Sequence, residues 1–189
     1  ETADDRERLA LIPHVLSASE AVAHAHRRNV IHRDLKPSNI LVGELGEIVV
    51  IDWGLAKVLD EPDDDAAPAA PSANTSLRTE LGTSMGTPGY MAPEQLEGDP
   101  QSPSADVYAL GATLYHVVSG TPPHHAPNGE GMRARALAGP PAPMRSIASG
   151  VPDELATIID KALAYDRAVR YPDAGALVDD LRRFLTGRL

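Results

Sequence analysis

The chain has 189 residues, of which 42% are hydrophobic and 23% charged, the balance of a single soluble domain with enough interior for a core. Its net charge of −10 argues against a nucleic-acid or anionic-membrane binder, and the absence of cysteine excludes disulfides and thiolate metal sites. No apolar run reaches the ~20 residues that span a bilayer, and Glu1–Arg8 carries no signal-peptide pattern, so a cytoplasmic location is expected.

In chain order, Leu9, Ile12, Leu16, Ala23 and His26 fall on one stripe at helical spacing, widened by Val15 and Val22. Pro13 fits only the first turn, which sets a helix at about residues 10–27. Arg27 and Arg28 suit its C-terminal dipole, and Asn29 is its stop. Val30 to Ile40 then reads V-I-H-R-D-L-K-P-S-N-I, a polar loop pinned between β-branched apolar flanks. Asp34, Lys36 and Asn39 put a carboxylate, an ammonium and an amide close together, with Pro37 stiffening the turn. They suit a proton acceptor, a phosphate counter-charge and a metal ligand.

Ile40–Val42 and Glu47–Ile51 read as a small hairpin around a turn at 43–46, the second strand mostly buried, ending at Asp52-Trp53-Gly54. From about 59 to 76 the composition turns to Asp, Ala, Pro and Ser, with an acidic run at Asp60, Glu61, Asp63, Asp64 and Asp65, and a flexible solvated insert is expected. Gly86 to Glu94 (G-T-P-G-Y-M-A-P-E) is turn-rich, anchored by Tyr90 and Met91. A central, broadly apolar helix is expected from about Ala105 to Val118, capped by Ser104 and stopped by Gly120. Residues 122–143 read as loop, with at most a short helix near 130–137. Helices are expected from Pro152 to about Ala164 and from Asp173 to Leu185, the second stopped by Gly187. His124-His125 lacks an evident third ligand for a metal.

The pattern H-R-D-L-x-x-x-N stands complete at His32, Arg33, Asp34, Leu35 and Asn39. It is followed in order by D-x-G at 52–54, A-P-E at 92–94, D-V-Y-A-L-G at 106–111, and Arg170. In these motifs the whole chain resembles the C-terminal lobe of a protein kinase, more closely a bacterial serine/threonine kinase of the eukaryotic (Hanks) type. The resemblance implies a mainly α fold, a C-lobe helical bundle with a small β-hairpin at the catalytic cleft, cut from an α+β parent of two lobes. It makes 1–189 one lobe, with the catalytic loop at 32–39 and the activation segment at 52–94. No G-x-G-x-x-G occurs, and the three lysines are Lys36, Lys57 and Lys161, so the N-lobe is expected to lie outside this chain.

The implied activity is transfer of the ATP γ-phosphoryl group to serine or threonine hydroxyls of protein substrates, with Mg2+ (or Mn2+) as cofactor; the isolated lobe is expected to be inactive. By resemblance, Asp34 accepts the hydroxyl proton, Lys36 neutralises the transferring group, Asn39 and Asp52 hold the metal, and Leu41 forms the floor under adenine. Thr87 helps select hydroxyl substrates, and Lys36-Pro37-Ser38 points to the serine/threonine branch. Arg33 and Lys57 form a pocket for an activating phosphate, with Thr79 and Thr83 the leading acceptors. His32 and Trp53 are packing members of an internal spine, Trp53 standing where D-F-G is commoner. Glu94 and Arg170 form a buried ion pair, and Asp106 holds catalytic-loop amides. The competing reading is a pseudokinase or docking scaffold with the fold and no turnover.

Overall fold

In the computed structural model, residues 3–59 and 87–187 are described. The insert expected at about 59–76 and the acceptors Thr79 and Thr83 lie outside them, Leu59 apart. The architecture is mainly helical, with two small antiparallel sheets among the described residues.

The chain opens with α1 (Ala3–Leu9), a helix the sequence reading did not separate from the next. Helix α2 (Ile12–His26) has Pro13 in its first turn, where a missing N–H costs nothing, and buries Ile12, Val15, Ala18, Ser19, Val22, Ala23 and His26 along one face. Asn29 follows with φ 58°, a left-handed turn that asparagine tolerates, and redirects the chain into β1 (Val30–Ile31).

A 3-10 turn at Pro37–Asn39 closes the loop after β1 and leads into β2 (Ile40–Val42). Strand β3 (Ile48–Val50) pairs with it in the register Ile40↔Val50, Leu41↔Val49, Val42↔Ile48. Gly46, at φ 84°, makes the turn between them. The second strand was expected to be mostly buried. Only Val50 is, because this two-stranded hairpin packs one face inward and leaves Leu41, Val42 and Val49 about half exposed. Strand β4 (Lys57–Val58) pairs with β1, Ile31 opposite Lys57. That pairing carries no sequence signal, since two residues are too few to show alternation.

The remaining elements are α3 (Pro93–Glu97), α4 (Pro103–Ser119), α5 (Gly129–Ala138), α6 (Met144–Ile147), α7 (Asp153–Ala162) and α8 (Ala174–Leu185). Helix α4 is buried from Ser104 through Tyr115, and α2, α7 and α8 all pack on it. It starts two residues earlier than expected: Ser104 lies inside the first turn, its hydroxyl 2.8 Å from that of Ser102, the residue that precedes the helix. Where α4 crosses α7 the helices touch through Gly111, since a Cβ there would stand 2.7 Å from Ala162 Cβ. Helices α7 and α8 turn Leu155, Ile158 and Ile159, and Leu177, Val178 and Leu181, onto the same core.

Candidate functional site

The site forms where α2, the hairpin and the start of α4 meet. Asp34 is the centre. Its Oδ2 receives Lys36 Nζ at 2.8 Å and Asn39 Nδ2 at 3.3 Å. Asn39 Nδ2 also donates to the Asp34 carbonyl at 2.8 Å, so the 3-10 turn locks the amide against the carboxylate it serves. Among the described residues no group donates to Asp34 Oδ1, and the side chain retains 11% exposure. One carboxylate oxygen is anchored by a cation and an amide, and the other has no donor among the described residues.

Asp52 is brought alongside by the hairpin. The Ile51 N–H donates to the Asn39 carbonyl at 2.9 Å, which fixes the chain one residue before Asp52. Asp52 itself has φ 62°, an uncommon conformation for a residue with a Cβ, and its side chain is exposed with no partner among the described residues. Asn39 commits its side-chain nitrogen to Asp34, and among the described residues no group donates to its side-chain Oδ1. An amide oxygen and a carboxylate are hard oxygen ligands of the kind Mg2+ takes, so the donor set fits that ion.

The backbone before Asp34 is held from below. Asp106, 2% exposed in the first turn of α4, accepts the N–H of His32 at 2.7 Å and of Arg33 at 2.9 Å. Arg33 has φ 73°, so the turn into Asp34 depends on these bonds to stay in a conformation a non-glycine residue avoids. The Gln95 side chain of α3 adds a third tie, donating to the Arg33 carbonyl at 2.6 Å.

His32 is fully buried. The Asp34 N–H donates to its Nδ1 at 3.3 Å, which leaves Nε2 to donate to the Ile51 carbonyl at 3.0 Å. Trp53 packs on it with ring centroids 4.5 Å apart, and its Nε1 donates to the Val50 carbonyl at 3.0 Å. The pair joins the 32–39 loop to the hairpin.

Glu94 and Arg170 meet as a bidentate pair at 2.6 and 2.8 Å. Arg170 is completely satisfied: it also donates to the carbonyls of Ala164, Ser104 and Tyr165, and its guanidinium lies 4.9 Å over the Tyr108 ring. Burial pushes the Tyr108 phenol well above its ordinary range, with Arg170 opposing the shift. Tyr108 also meets His124 Nε2 at 2.8 Å, and burial, then the charge of Arg135, pulls the His124 imidazole down to about 4.

The other expected residues are more loosely tied. Arg33 Nε donates to Gln101 at 3.2 Å, and Lys57 sits in β4 opposite Ile31, two residues before Arg33. Leu41 is exposed on the open face of the hairpin. Thr87 is exposed just before the 3-10 turn Pro88–Tyr90 and hydrogen-bonds to neither Asp34 nor Lys36. Sequence reasoning missed His26, Gln95 and Gln101, each of which supports the loop through a partner on a distant element. His26 stood on the buried stripe of α2, which announces burial and says nothing of a partner.

The profile of the protein kinase domain family matches residues 10–179. The chain is 36% identical over 189 residues to the serine/threonine-protein kinase PknD of Protochlamydia amoebophila, covering 95% of this chain and 19% of that protein. It is 40% identical over 173 residues to that of Chlamydia felis, covering 88% of this chain and 18% of that protein, and 38% identical over 172 residues to that of Chlamydia caviae, covering 88% and 18%. The chain thus spans about a fifth of the length of these relatives. With a match across nearly its whole length and the ordered motifs gathered around Asp34, this chain belongs to the protein kinase domain family.

Proposed function

We propose that this chain is the substrate- and metal-binding lobe of a serine/threonine protein kinase that phosphorylates protein hydroxyls, and that it works with an ATP-binding lobe supplied by the rest of its parent. The observation that carries the reading is the Asp34 carboxylate, pinned on one oxygen by Lys36 and Asn39 and open on the other. A scaffold has no use for that arrangement. The similarity to kinases named for serine and threonine, and Lys36-Pro37-Ser38 after the acid, support the choice of acceptor.

Phosphoryl transfer proceeds through a loose transition state, so the work of the site is to position reactants and offset charge. Asp34 Oδ1 accepts the hydrogen of the incoming hydroxyl and aims its oxygen. Lys36, 2.8 Å from Asp34, holds the carboxylate in place and presents its positive charge on the side where the phosphoryl group passes. Asn39 Oδ1 and Asp52 would hold Mg2+, which offsets phosphate charge when bound. Leu41, half exposed on the hairpin, offers an apolar surface for the adenine ring, and Thr87 would help select the hydroxyl acceptor. Arg33 and Lys57 receive a phosphate on Thr79 or Thr83, an ordering contact for the activation segment. Among the described residues no helix is long and apolar enough to cross a membrane, and a reaction fed by ATP belongs on the cytoplasmic side.

The test is transfer from γ-labelled ATP by the full-length parent with Mg2+ and a basic protein substrate. Label on serine or threonine, lowered by a Thr79→Ala/Thr83→Ala double change, is the expected result. A folded, phosphorylated parent that transfers nothing contradicts the reading.

A further inference from the structure

Residues 121–138 fold as a unit of their own. The Arg135 guanidinium donates to the His125 carbonyl at 2.6 Å, Asn128 Oδ1 accepts the Gly131 N–H at 2.8 Å, and a Cβ on Gly131 would stand 3.0 Å from Ala126 Cβ. Helix α5 buries only Ala136 of its ten residues, and neither Ala136 nor Ala126 joins the main hydrophobic core. With so little apolar hold, a polar tie between this unit and the core counts for more. His124 makes one. It is 4% exposed, and its Nε2 lies 2.8 Å from the hydroxyl of Tyr108, itself 1% exposed in α4.

The same unit walls one side of the turn Pro88–Tyr90. A Cβ on Gly89 would stand 3.3 Å from Met132 Sδ and 3.5 Å from Pro122 Cβ, and one on Gly129 would stand 3.7 Å from Pro88 Cγ. The Tyr90 end of the turn is fixed separately, its hydroxyl 2.5 Å from His116 Nδ1, so it is the Gly89 side that depends on the unit. The chain leaving the turn enters α3, where Glu94 pairs with the Arg170 guanidinium that lies over the Tyr108 ring. Tyr108 is thus a common reference for both neighbours of the turn, through its ring face for α3 and through its hydroxyl for residues 121–138. Thr87, which would help select the acceptor, stands immediately before the turn. We propose that His124 is a positioning residue for the protein substrate: its bond to Tyr108 sets Pro122 and Met132 against Gly89 and so fixes the turn that the acceptor chain crosses. The proposal rests on the kinase reading of Asp34 and Thr87.

Three variants of the full-length parent separate the bond from the space the ring fills. His124→Phe keeps a buried ring and removes the polar nitrogen. Tyr108→Phe removes the other partner alone. In His124→Gln the amide reaches the Nε2 position, where it can meet the Tyr108 hydroxyl as donor or acceptor. Each is assayed for KM toward a basic protein substrate and toward ATP. Amide hydrogen exchange is followed at Tyr90 and Met91, whose N–H groups close the turn on the Thr87 and Pro88 carbonyls.

His124→Phe and Tyr108→Phe are each expected to raise KM for the protein substrate about fivefold, the typical effect of losing one hydrogen bond, with KM for ATP within about twofold of wild type. Exchange at Tyr90 and Met91 quickens in both. The double variant is expected to be no worse than either single one, since the same bond is lost. His124→Gln keeps the protein KM and the protection near wild type. Losses that add in the double variant, an equal loss in His124→Gln, or wild-type KM and protection in His124→Phe overturn the proposal. A wild-type parent that transfers nothing sinks the kinase reading instead, and exchange at Tyr90 and Met91 still decides whether His124 holds the turn.

Discussion

A buried histidine can act as a donor, an acceptor or both, and this chain uses its buried histidines in ways that only the partners reveal. His32 and His26 each accept a backbone N–H on Nδ1 and donate from Nε2, to the Ile51 carbonyl and to Asp106. His124 differs, since burial and Arg135 lower its affinity for a proton to about 4 from an ordinary 6.5. The unfolded chain then binds a proton on this ring at a pH where the folded chain does not. Its contribution to stability is whole above pH ~6.5, declines as pH falls, and is gone below about 4. Urea unfolding from pH 7.5 to 4.5 should show wild type losing ~2 kcal/mol more than His124→Gln over that range. A parallel decline in both proteins would mean that His124 titrates alike in the folded and unfolded chain.

At the scale of elements, the Glu94–Arg170 pair does more than join two charges. It ties α3 to the end of α7, through the carbonyls of Ala164 and Tyr165, and to α4 through Ser104. The Arg170 side chain has no exposed surface and Glu94 only 9%, so solvent does not screen the pair. Arg170→Ala strands the Glu94 carboxylate and should cost ~3–5 kcal/mol by urea unfolding. Arg170→Lys should recover little, because an ammonium cannot form the two-pronged contact. A loss of under ~1 kcal/mol, the scale of an exposed pair, would contradict this account.

This pair was legible in the sequence because A-P-E and the late arginine are spaced as kinases space them, and so was the hold of Asp106 on the loop amides. The helices from 12 to 26, 103 to 119, 153 to 162 and 174 to 185 were legible from periodicity and from Gly120 and Gly187 as stops. The pairing of β1 with β4 was not, since two-residue strands have no pattern to read. Nor was α6 at Met144–Ile147, a single turn between prolines and Ala148, or α1, whose charged residues show no apolar stripe. His26 was legible as buried and illegible as a link, because its partners Asp106 and Ala174 lie 80 and 148 residues away.

For the whole molecule, the helical core is the base and Asp34 sits on its rim. Helix α4 is buried along most of its length, and from its first turn Asp106 reaches up to the loop. The hairpin leans over the same point, with His32 and Trp53 in the joint, and leaves Leu41, Val42 and Val49 facing outward beside Asp52. We propose that this frame presents the Asp34 carboxylate to a substrate hydroxyl. The most direct measurement compares wild-type parent with Asp34→Asn in transfer from γ-labelled ATP, at equal folding and equal ATP binding. The expected result is a fall in kcat of about 100-fold or more, the usual worth of a positioned proton acceptor, with KM for ATP little changed. An Asp34→Asn enzyme that transfers phosphate at the wild-type rate would contradict it.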